Sequence, residues 1–129
     1  MSIFSKIVSG EITAYKIAEN DNFLAFLDVF PLVKGHILVI PKKETDYIFD
    51  IESNEYAELW KFAQSVAKAQ KQAIPCKKIG IAVVGLEVPH AHIHLVPINE
   101  VGDMNFSKPK IKLTEFEMKE IQEKVISFL

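Results

Sequence analysis

Three of the four histidines of this chain alternate with apolar residues in one short stretch, His90-Ala91-His92-Ile93-His94-Leu95. Successive side chains of a β-strand point to opposite faces, so the three imidazoles would share one face and Ala91, Ile93 and Leu95 the other. Neighbouring histidines would lie about 7 Å apart, so one metal ion could bind an adjacent pair but not all three. A strand over residues 88–97 is therefore predicted, and because histidine clusters are typical of metal or proton-transfer sites, it is the predicted functional site.

Composition limits the partners of such a site. The length of 129 residues fits a single domain over residues 1–129, and the net charge of −2 with a pI of about 6.1 favours neither nucleic acid nor a membrane surface as a partner. All 15 basic residues are lysines, so no arginine is present to clamp a phosphate with two parallel hydrogen bonds. A phosphate would be held by backbone N–H groups, histidine or lysine.

Cellular location is inferred from what the sequence lacks. Cys76 is the single cysteine, which excludes an intrachain disulfide and fits a reducing compartment. The N-terminal residues do not resemble a signal peptide, and no stretch approaches the length of an apolar membrane span. We therefore expect a cytoplasmic, soluble protein.

Hydrophobic periodicity and turn residues predict an α+β fold with a meander of about five antiparallel strands, a long covering helix and terminal helices. Besides the histidine strand, strands are predicted over residues 15–18, 23–27, 36–41 and 79–84. A short first helix should stop at Gly10, and a long helix over 53–74 should begin with Ser53 as its N-cap and end before Pro75. A last helix over about 114–128 should open with a Thr114–Glu117 capping box and bury Phe116, Ile121, Val125 and Phe128.

Histidine on a strand face can act on phosphorus. A neutral imidazole nitrogen attacks, the phosphoryl or nucleotidyl group rests on the ring, and water then displaces it. A neighbour that accepts a hydrogen bond from the other ring nitrogen fixes which nitrogen is free to attack. His92 has a histidine on each side and is therefore the predicted nucleophile.

The run from His90 to Val96 resembles the His-x-His-x-His-x-x signature of the histidine-triad (HIT) family of nucleotide hydrolases and transferases. Three further blocks resemble family blocks in the expected order, so the likeness spans about residues 2 to 97; they are Ile3–Val8, Leu24–Asp28 and Gly35–Lys43. The resemblance implies a homodimer that acts on a purine nucleotide or a nucleotide conjugate, with no cofactor.

The resemblance also implies roles for single residues. His92 would take the nucleotidyl group, while His94 and His90 would hydrogen-bond the phosphate and orient the nucleophile. Asp28 would accept from the ribose hydroxyls, although an aspartate before Phe30 equally suits a turn, and His36 would be an auxiliary donor or a purely structural residue. The base pocket would be lined by residues that also suit a hydrophobic core: Ile3, Phe4, Ile7, Phe26 and Val29.

Two departures from the family pattern stand out. Some members hold a structural zinc ion with a Cys-x-x-Cys pair near the N-terminus and a later histidine; here these positions are Ser2, Ser5 and Glu44, so no metal is expected. The loop before the triad is shorter than in better-studied branches of the family and consists only of Gly85-Leu86-Glu87-Val88. Glu87 places a negative charge near the phosphate unless it points away, accepts a proton or contacts a cationic leaving group.

The predicted function is hydrolysis of a phosphoramidate or phosphoanhydride bond of a nucleoside monophosphate derivative through a nucleotidyl-His92 intermediate. One alternative is a nucleotide-binding module with little or no turnover. Another is a metal-dependent hydrolase that uses His92 and His94 with Asp28, Glu87 or His36 as further ligands.

Overall fold

A computed structural model describes residues 1–129 of the chain. Its helices and strands follow the predicted order, with short 3-10 turns at Ile48–Asp50 and Val101–Met104; they are α1 (Ile3–Ser9), β1 (Lys16–Glu19), β2 (Phe23–Leu27), β3 (Ile37–Pro41), α2 (Ser53–Ala73), β4 (Lys78–Ala82), β5 (Ile93–Ile98) and α3 (Glu115–Ile126). Gly10 ends α1 in the left-handed conformation, with φ of 88°. None of the helices combines the length and hydropathy needed to cross a membrane.

The five strands form one antiparallel sheet in the order β1-β2-β3-β5-β4, so the predicted α+β architecture is confirmed. Strand β5 lies between β3 and β4, which leaves β4 at the sheet edge. Helix α2 covers one face, and the short α1 packs Phe4 and Ile7 on part of the other. Because both faces are covered, every residue of β2 and β3 is buried, which explains their continuous apolar sequences.

The predicted histidine strand is shorter than expected, because β5 begins at Ile93 and His90 and His92 precede it. The backbone there makes other hydrogen bonds: the His90 N–H donates to the Val88 carbonyl at 2.8 Å, and the Ala91 N–H donates to the Thr45 carbonyl at 2.7 Å. The predicted separation of the two faces is nevertheless confirmed. Ala91 packs in the core under α2 together with the next two alternate residues of the strand, Ile93 and Leu95.

Two helix predictions need correction. The N-cap of α2 is Glu52 and not Ser53, because the Glu52 carboxylate accepts the N–H groups of Asn54 and Glu55. The predicted capping box of Thr114 opens α3, but Phe116 is 74% exposed and Phe128 is also exposed. Phe116 lies five residues before the buried Ile121, a separation that puts the two on different sides of a helix with 3.6 residues per turn. The third buried position is Met118 instead.

Gln70, fully buried on α2, connects the helix to both histidine-bearing parts of the sheet. Its side-chain amide nitrogen donates to the carbonyl of Gly35 at 2.8 Å and to that of Leu95 at 2.9 Å. Gly35 precedes His36 and Leu95 follows His94. This one side chain therefore helps to hold two histidines at a fixed distance from the helix.

Replacing Gln70 with Met keeps the volume of the side chain but removes the donor for two buried carbonyls. We expect Gln70→Met to lower the free energy of unfolding by about 1–3 kcal/mol, because an unpaired buried polar group costs its desolvation energy. Urea denaturation measures the loss. Gln72→Met, at an exposed position of the same helix, is the control and should change stability by no more than about 0.5 kcal/mol. Equal stability of the two variants would contradict this role of Gln70.

Candidate active site

The structure brings all four histidines together. His94 lies in β5 and pairs with Leu38 of β3, and His36 lies just before β3. The ring centroids of His92 and His94 are 4.9 Å apart, and those of His36 and His94 are 5.2 Å apart. Phe4 of α1 contacts the His92 ring at a centroid distance of 4.9 Å. The histidines thus form one buried cluster with an aromatic ring from α1 at one end.

His92 has a defined tautomer. Its Nδ1 lies 2.7 Å from the carbonyl oxygen of His90, and because a carbonyl can only accept, Nδ1 carries the hydrogen. Burial lowers the pKa of His92 below its usual value of 6.5, against the opposing effects of the His90 carbonyl and of the negative charge of Glu87. The ring is therefore neutral at pH 7, and its Nε2 carries a free lone pair.

His94 has the opposite arrangement, set by a chain of hydrogen bonds that starts at the backbone. The Leu32 N–H donates to Nδ1 of His36 at 3.1 Å, so a neutral His36 carries its hydrogen on Nε2. That nitrogen lies 3.0 Å from Nδ1 of His94 and donates to it, which leaves the hydrogen of His94 on its own Nε2. Neighbouring rings therefore offer a lone pair on His92 and an N–H donor on His94.

Burial keeps the two imidazole rings of this hydrogen-bonded series uncharged. It lowers the pKa of His36 to about 3 and that of His94 to about 4, and the neighbouring histidines add to both effects. Both rings are neutral at pH 7, as the donor order requires.

His90 is the most enclosed of the triad, with no exposed surface. Its Nε2 lies 2.7 Å from the Pro41 carbonyl and its Nδ1 lies 2.8 Å from the Ser2 hydroxyl oxygen. Both ring nitrogens are therefore occupied within the protein, and a phosphate contact would require one of these hydrogen bonds to break. The predicted role that this geometry favours for His90 is orientation of His92 through its carbonyl.

Asp28 follows β2 and borders the cluster. One carboxylate oxygen accepts the Phe30 N–H at 2.8 Å, which is the turn contact, and the other lies 3.7 Å from Nε2 of His36. Burial raises the pKa of this carboxyl, against the backbone hydrogen bond from Phe30. The second oxygen is free to accept from a ligand hydroxyl.

One group of side chains has the spacing of metal ligands. Ligand atoms of Asp28, His36 and His94 lie within 4.8 Å of one another, while His92 and Glu87 lie outside this group. Because His36 and His94 already share a hydrogen bond, an ion would have to displace the proton between them. The metal-dependent alternative therefore requires a rearrangement of the donor chain described above.

The predicted base-pocket residues divide into two sets. Phe4, Ile7 and Phe26 are buried together on the α1 face of the sheet, and the rings of Phe4 and Phe26 pack edge to face with centroids 5.6 Å apart. Ile3 and Val29 are more than half exposed. The first set is core, whereas the second is apolar surface that a bound base could cover.

The two serines and the glutamate at the expected zinc positions lie together beside His90. The Ser5 hydroxyl donates to the Glu44 carboxylate at 2.7 Å, and the Ser5 N–H donates to the Ser2 hydroxyl oxygen at 3.0 Å. Hydroxyl and carboxylate oxygens do not match the sulfur and nitrogen ligands of structural zinc sites. The absence of zinc from this position stays a prediction.

Phe106 and Lys110, to which no sequence pattern points, follow β5 and cover the His94 end of the cluster. The Phe106 ring lies edge-on to His94 with centroids 4.8 Å apart, and Nζ of Lys110 donates to the Phe106 carbonyl at 2.7 Å. Burial is the largest cause of the lowered pKa of His94, and the positive charge of Lys110 lowers this pKa further. An isolated aromatic residue in the polar segment after β5 was the available signal, but no periodicity ties it to the site.

Comparison with known proteins agrees with this geometry. The sequence model of the HIT domain matches residues 9–101. The chain is 32% identical to adenosine 5'-monophosphoramidase hnt1 of Schizosaccharomyces pombe, over 97% of this chain and 96% of the relative. The crystal structure of a Hit-like protein from Bartonella henselae superposes with a TM-score of 0.85 and 30% identity, covering 99% of this chain and 96% of the other.

A zinc-bound histidine-triad family protein from Mycobacterium smegmatis has the same fold, with a TM-score of 0.80, 29% identity and coverage of 98% of this chain and 91% of the other. The domain match, the relative aligned over nearly its whole length and the convergence of the triad histidines lead to one conclusion. This chain belongs to the HIT domain family.

Proposed function

We propose that this protein is a nucleotide hydrolase that cleaves a phosphoramidate or phosphoanhydride bond of a nucleoside monophosphate derivative. The observation that carries the proposal is the pairing of tautomers in the cluster. His92 has a free lone pair on Nε2, and the adjacent His94 has an N–H donor on Nε2. A nucleophile and a donor to phosphate oxygens are the two groups that transfer of a nucleotidyl group requires.

In the proposed reaction, Nε2 of His92 attacks the α-phosphorus. The P–Nε2 bond forms as the bond from phosphorus to the leaving nitrogen or oxygen breaks, and the leaving group departs with its electron pair and takes a proton from solvent. The hydrogen bond from Nδ1 to the His90 carbonyl strengthens as the ring becomes positive. Water then adds to phosphorus as the P–Nε2 bond breaks, one proton of the water returns to solvent, and His92 leaves with the electron pair in its neutral form.

The proposed substrate is a purine nucleotide or a nucleotide conjugate. The free oxygen of Asp28 suits a ribose hydroxyl, and the exposed Ile3 and Val29 offer apolar surface to a base. The relative from Schizosaccharomyces pombe is named an adenosine 5'-monophosphoramidase, which makes adenosine 5'-phosphoramidate the first compound to assay. The alternative, a binding module without turnover, makes the same contacts but forms no covalent intermediate.

Brief incubation with adenosine 5'-phosphoramidate followed by an acid quench should add the mass of one adenylyl group to the peptide that contains His92. His92→Asn should abolish the adduct and lower the turnover number by at least about 10³-fold, because the variant lacks the nucleophile. Retained binding of AMP by calorimetry is the control for folding. Tight nucleotide binding by the unchanged protein, with neither adduct nor product, would favour the binding module instead.

The pH dependence of kcat/KM should report the neutral form of His92. Protonation removes the lone pair of Nε2, and because burial lowers the pKa of His92 below 6.5, activity should fall on the acid side with a midpoint below pH 6.5. Glu87→Gln removes a negative charge that raises this pKa and should move the midpoint to still lower pH. Glu11→Gln, at an exposed position just after helix α1, is the control and should leave the midpoint unchanged. A midpoint above 6.5, or an upward shift in Glu87→Gln, contradicts the assignment.

The resemblance to the family also implies a homodimer, and we propose that two copies meet through β4 and the adjoining side of α2. Strand β4 has only one neighbour in the sheet. Ile81 on this strand is 54% exposed and Leu86 just beyond it is 88% exposed. Trp60 of α2 lies beside Ile81 along a shallow groove of about 310 Å³. An apolar edge of this kind suits a second copy, since a two-fold axis repeats the same surface on both partners.

Ile81→Lys should convert the dimer to a monomer, because a two-fold interface would bring a lysine from each copy into the same apolar contact. Light scattering after size-exclusion chromatography measures the mass. Ile12→Lys, at another exposed isoleucine away from β4, is the control and should leave the dimer intact. A monomeric unchanged protein at micromolar concentration would disprove the proposed dimer.

A further inference from the structure

His90 is also contacted by side chains that take no part in the proposed reaction. Ser2 and Ser5 at the start of α1 and Glu44 after β3 surround its Nδ1 side, although 88 residues separate Ser2 from His90 along the chain. The Ser2 hydroxyl oxygen is 2.8 Å from Nδ1 of His90 and that of Ser5 is 3.4 Å away. None of these side chains forms a hydrogen bond with His92 or His94, and none is among the predicted substrate contacts.

In the hydrogen bonds that link His90, Ser2, Ser5 and Glu44, donor and acceptor can be assigned. Nε2 of His90 must donate to the Pro41 carbonyl, so in the neutral ring Nδ1 accepts from the Ser2 hydroxyl. The Ser5 N–H donates to the Ser2 oxygen, and the Ser5 hydroxyl donates to Glu44. The Ser2 hydroxyl has one further acceptor, the Ser5 hydroxyl oxygen at 3.3 Å, which is more distant than Nδ1 of His90.

Glu44 sets this assignment because a carboxylate can only accept. Hydrogen bonds from the backbone N–H of Ser2 and the hydroxyl of Ser5 lower its pKa to about 2, so it stays ionised at any pH at which the protein would act. With the Ser5 hydrogen committed to Glu44, the Ser2 oxygen has no competing donor from Ser5 except the N–H. The Ser2 hydrogen then points to the nearer of its two acceptors, which is Nδ1 of His90 at 2.8 Å and not the Ser5 oxygen at 3.3 Å.

The group formed by Ser2, Ser5, Glu44 and His90 is connected to the proposed nucleophile, His92, in two ways. The carbonyl of His90 accepts from Nδ1 of His92, so the position of His90 fixes the tautomer of His92. Ser2 is also the N-cap of α1, and this helix presses Phe4 against the His92 ring. A seven-residue helix is too short to be stable by itself and takes its position from such contacts.

We propose that Ser2, Ser5 and Glu44 are positioning residues that hold His90 and α1 in place, so that His92 keeps its lone pair on Nε2. The inference rests on the proposed function of His92 as the nucleophile. It assigns to two serines and a glutamate a role in the turnover number and not in substrate binding.

The test compares Ser2→Ala with Ser9→Ala, an exposed serine of the same helix whose hydroxyl donates only to a helix carbonyl. Ser2→Ala should lower kcat for adenosine 5'-phosphoramidate by about 10- to 100-fold, the usual cost of losing a residue that orients a reacting group, with little change in KM. Ser9→Ala should match the unchanged protein. Ser2→Thr keeps the hydroxyl and should recover most of the lost activity.

Glu44→Gln provides a second variant that keeps the Ser2 cap and alters an exposed side chain. Its amide oxygen can still accept from the Ser2 N–H and the Ser5 hydroxyl, but without the negative charge both hydrogen bonds weaken, so kcat should fall without a loss of thermal stability. Nitrogen-15 NMR of the histidine rings in the resting protein should show one tautomer of His92 in the unchanged chain and a mixture in Ser2→Ala and Glu44→Gln.

Two outcomes separate the inference from the proposed function. If the unchanged protein turns over substrate and both variants keep its kcat and its His92 tautomer, the positioning role is wrong while the hydrolase remains. If the unchanged protein has no turnover, the NMR tautomer still decides the positioning role, because that measurement needs no substrate. A loss of kcat with an equal rise in KM would indicate substrate binding instead and would also overturn the inference.

Discussion

The site depends on keeping the imidazoles of His36, His92 and His94 neutral inside a largely apolar sheet. Their burial removes the water that would stabilise a positive charge, so each ring holds one hydrogen and one lone pair. Backbone groups around the rings then decide which ring nitrogen carries the hydrogen and which carries the lone pair. These groups are the Leu32 N–H and the carbonyls of Pro41 and His90. Since backbone groups cannot change between donor and acceptor, the order of hydrogens along the cluster is built into the fold.

The sheet order makes this arrangement possible. Strands β3 and β5 are neighbours although α2 and β4 separate them in sequence, which brings His36 beside His94. Helix α2 covers the opposite face and fixes both strands through Gln70. The histidine cluster thus lies on the face with the smaller cover, and the larger core supports it from the opposite face.

Local sequence patterns predicted the frame, and tertiary contacts decided the rest. The alternation of Ala91, Ile93 and Leu95 identified the buried face of the strand because a two-residue period is a local property. Where β5 begins could not be predicted, because it depends on the hydrogen bond from Ala91 to Thr45, which lies far away in sequence. Apolarity alone predicts Phe116 in the core, although helix geometry turns its side chain outward.

The histidines of the site showed the same division. The triad and His36 could be selected by residue type and resemblance, but their tautomers could not, since these depend on partners such as Leu32 that no motif includes. Ser2 and Glu44 were noted as missing zinc ligands, and their shared contact with His90 required the folded chain. Sequence thus pointed to the histidines of the candidate site more readily than to the groups that orient them.

The long separation between Ser2 and His90 has a consequence for how the protein is made. Residues near the N-terminus are synthesised first, yet their partners are 88 positions later, and Phe106 closes the other end of the cluster later still. Contacts so distant in sequence form late, because the entropy of closing the loop must be offset before they stabilise the chain. Residues up to Phe106 must therefore leave the ribosome before this centre can assemble, and a chain that ended before His90 would carry helix α1 without this surface to dock on.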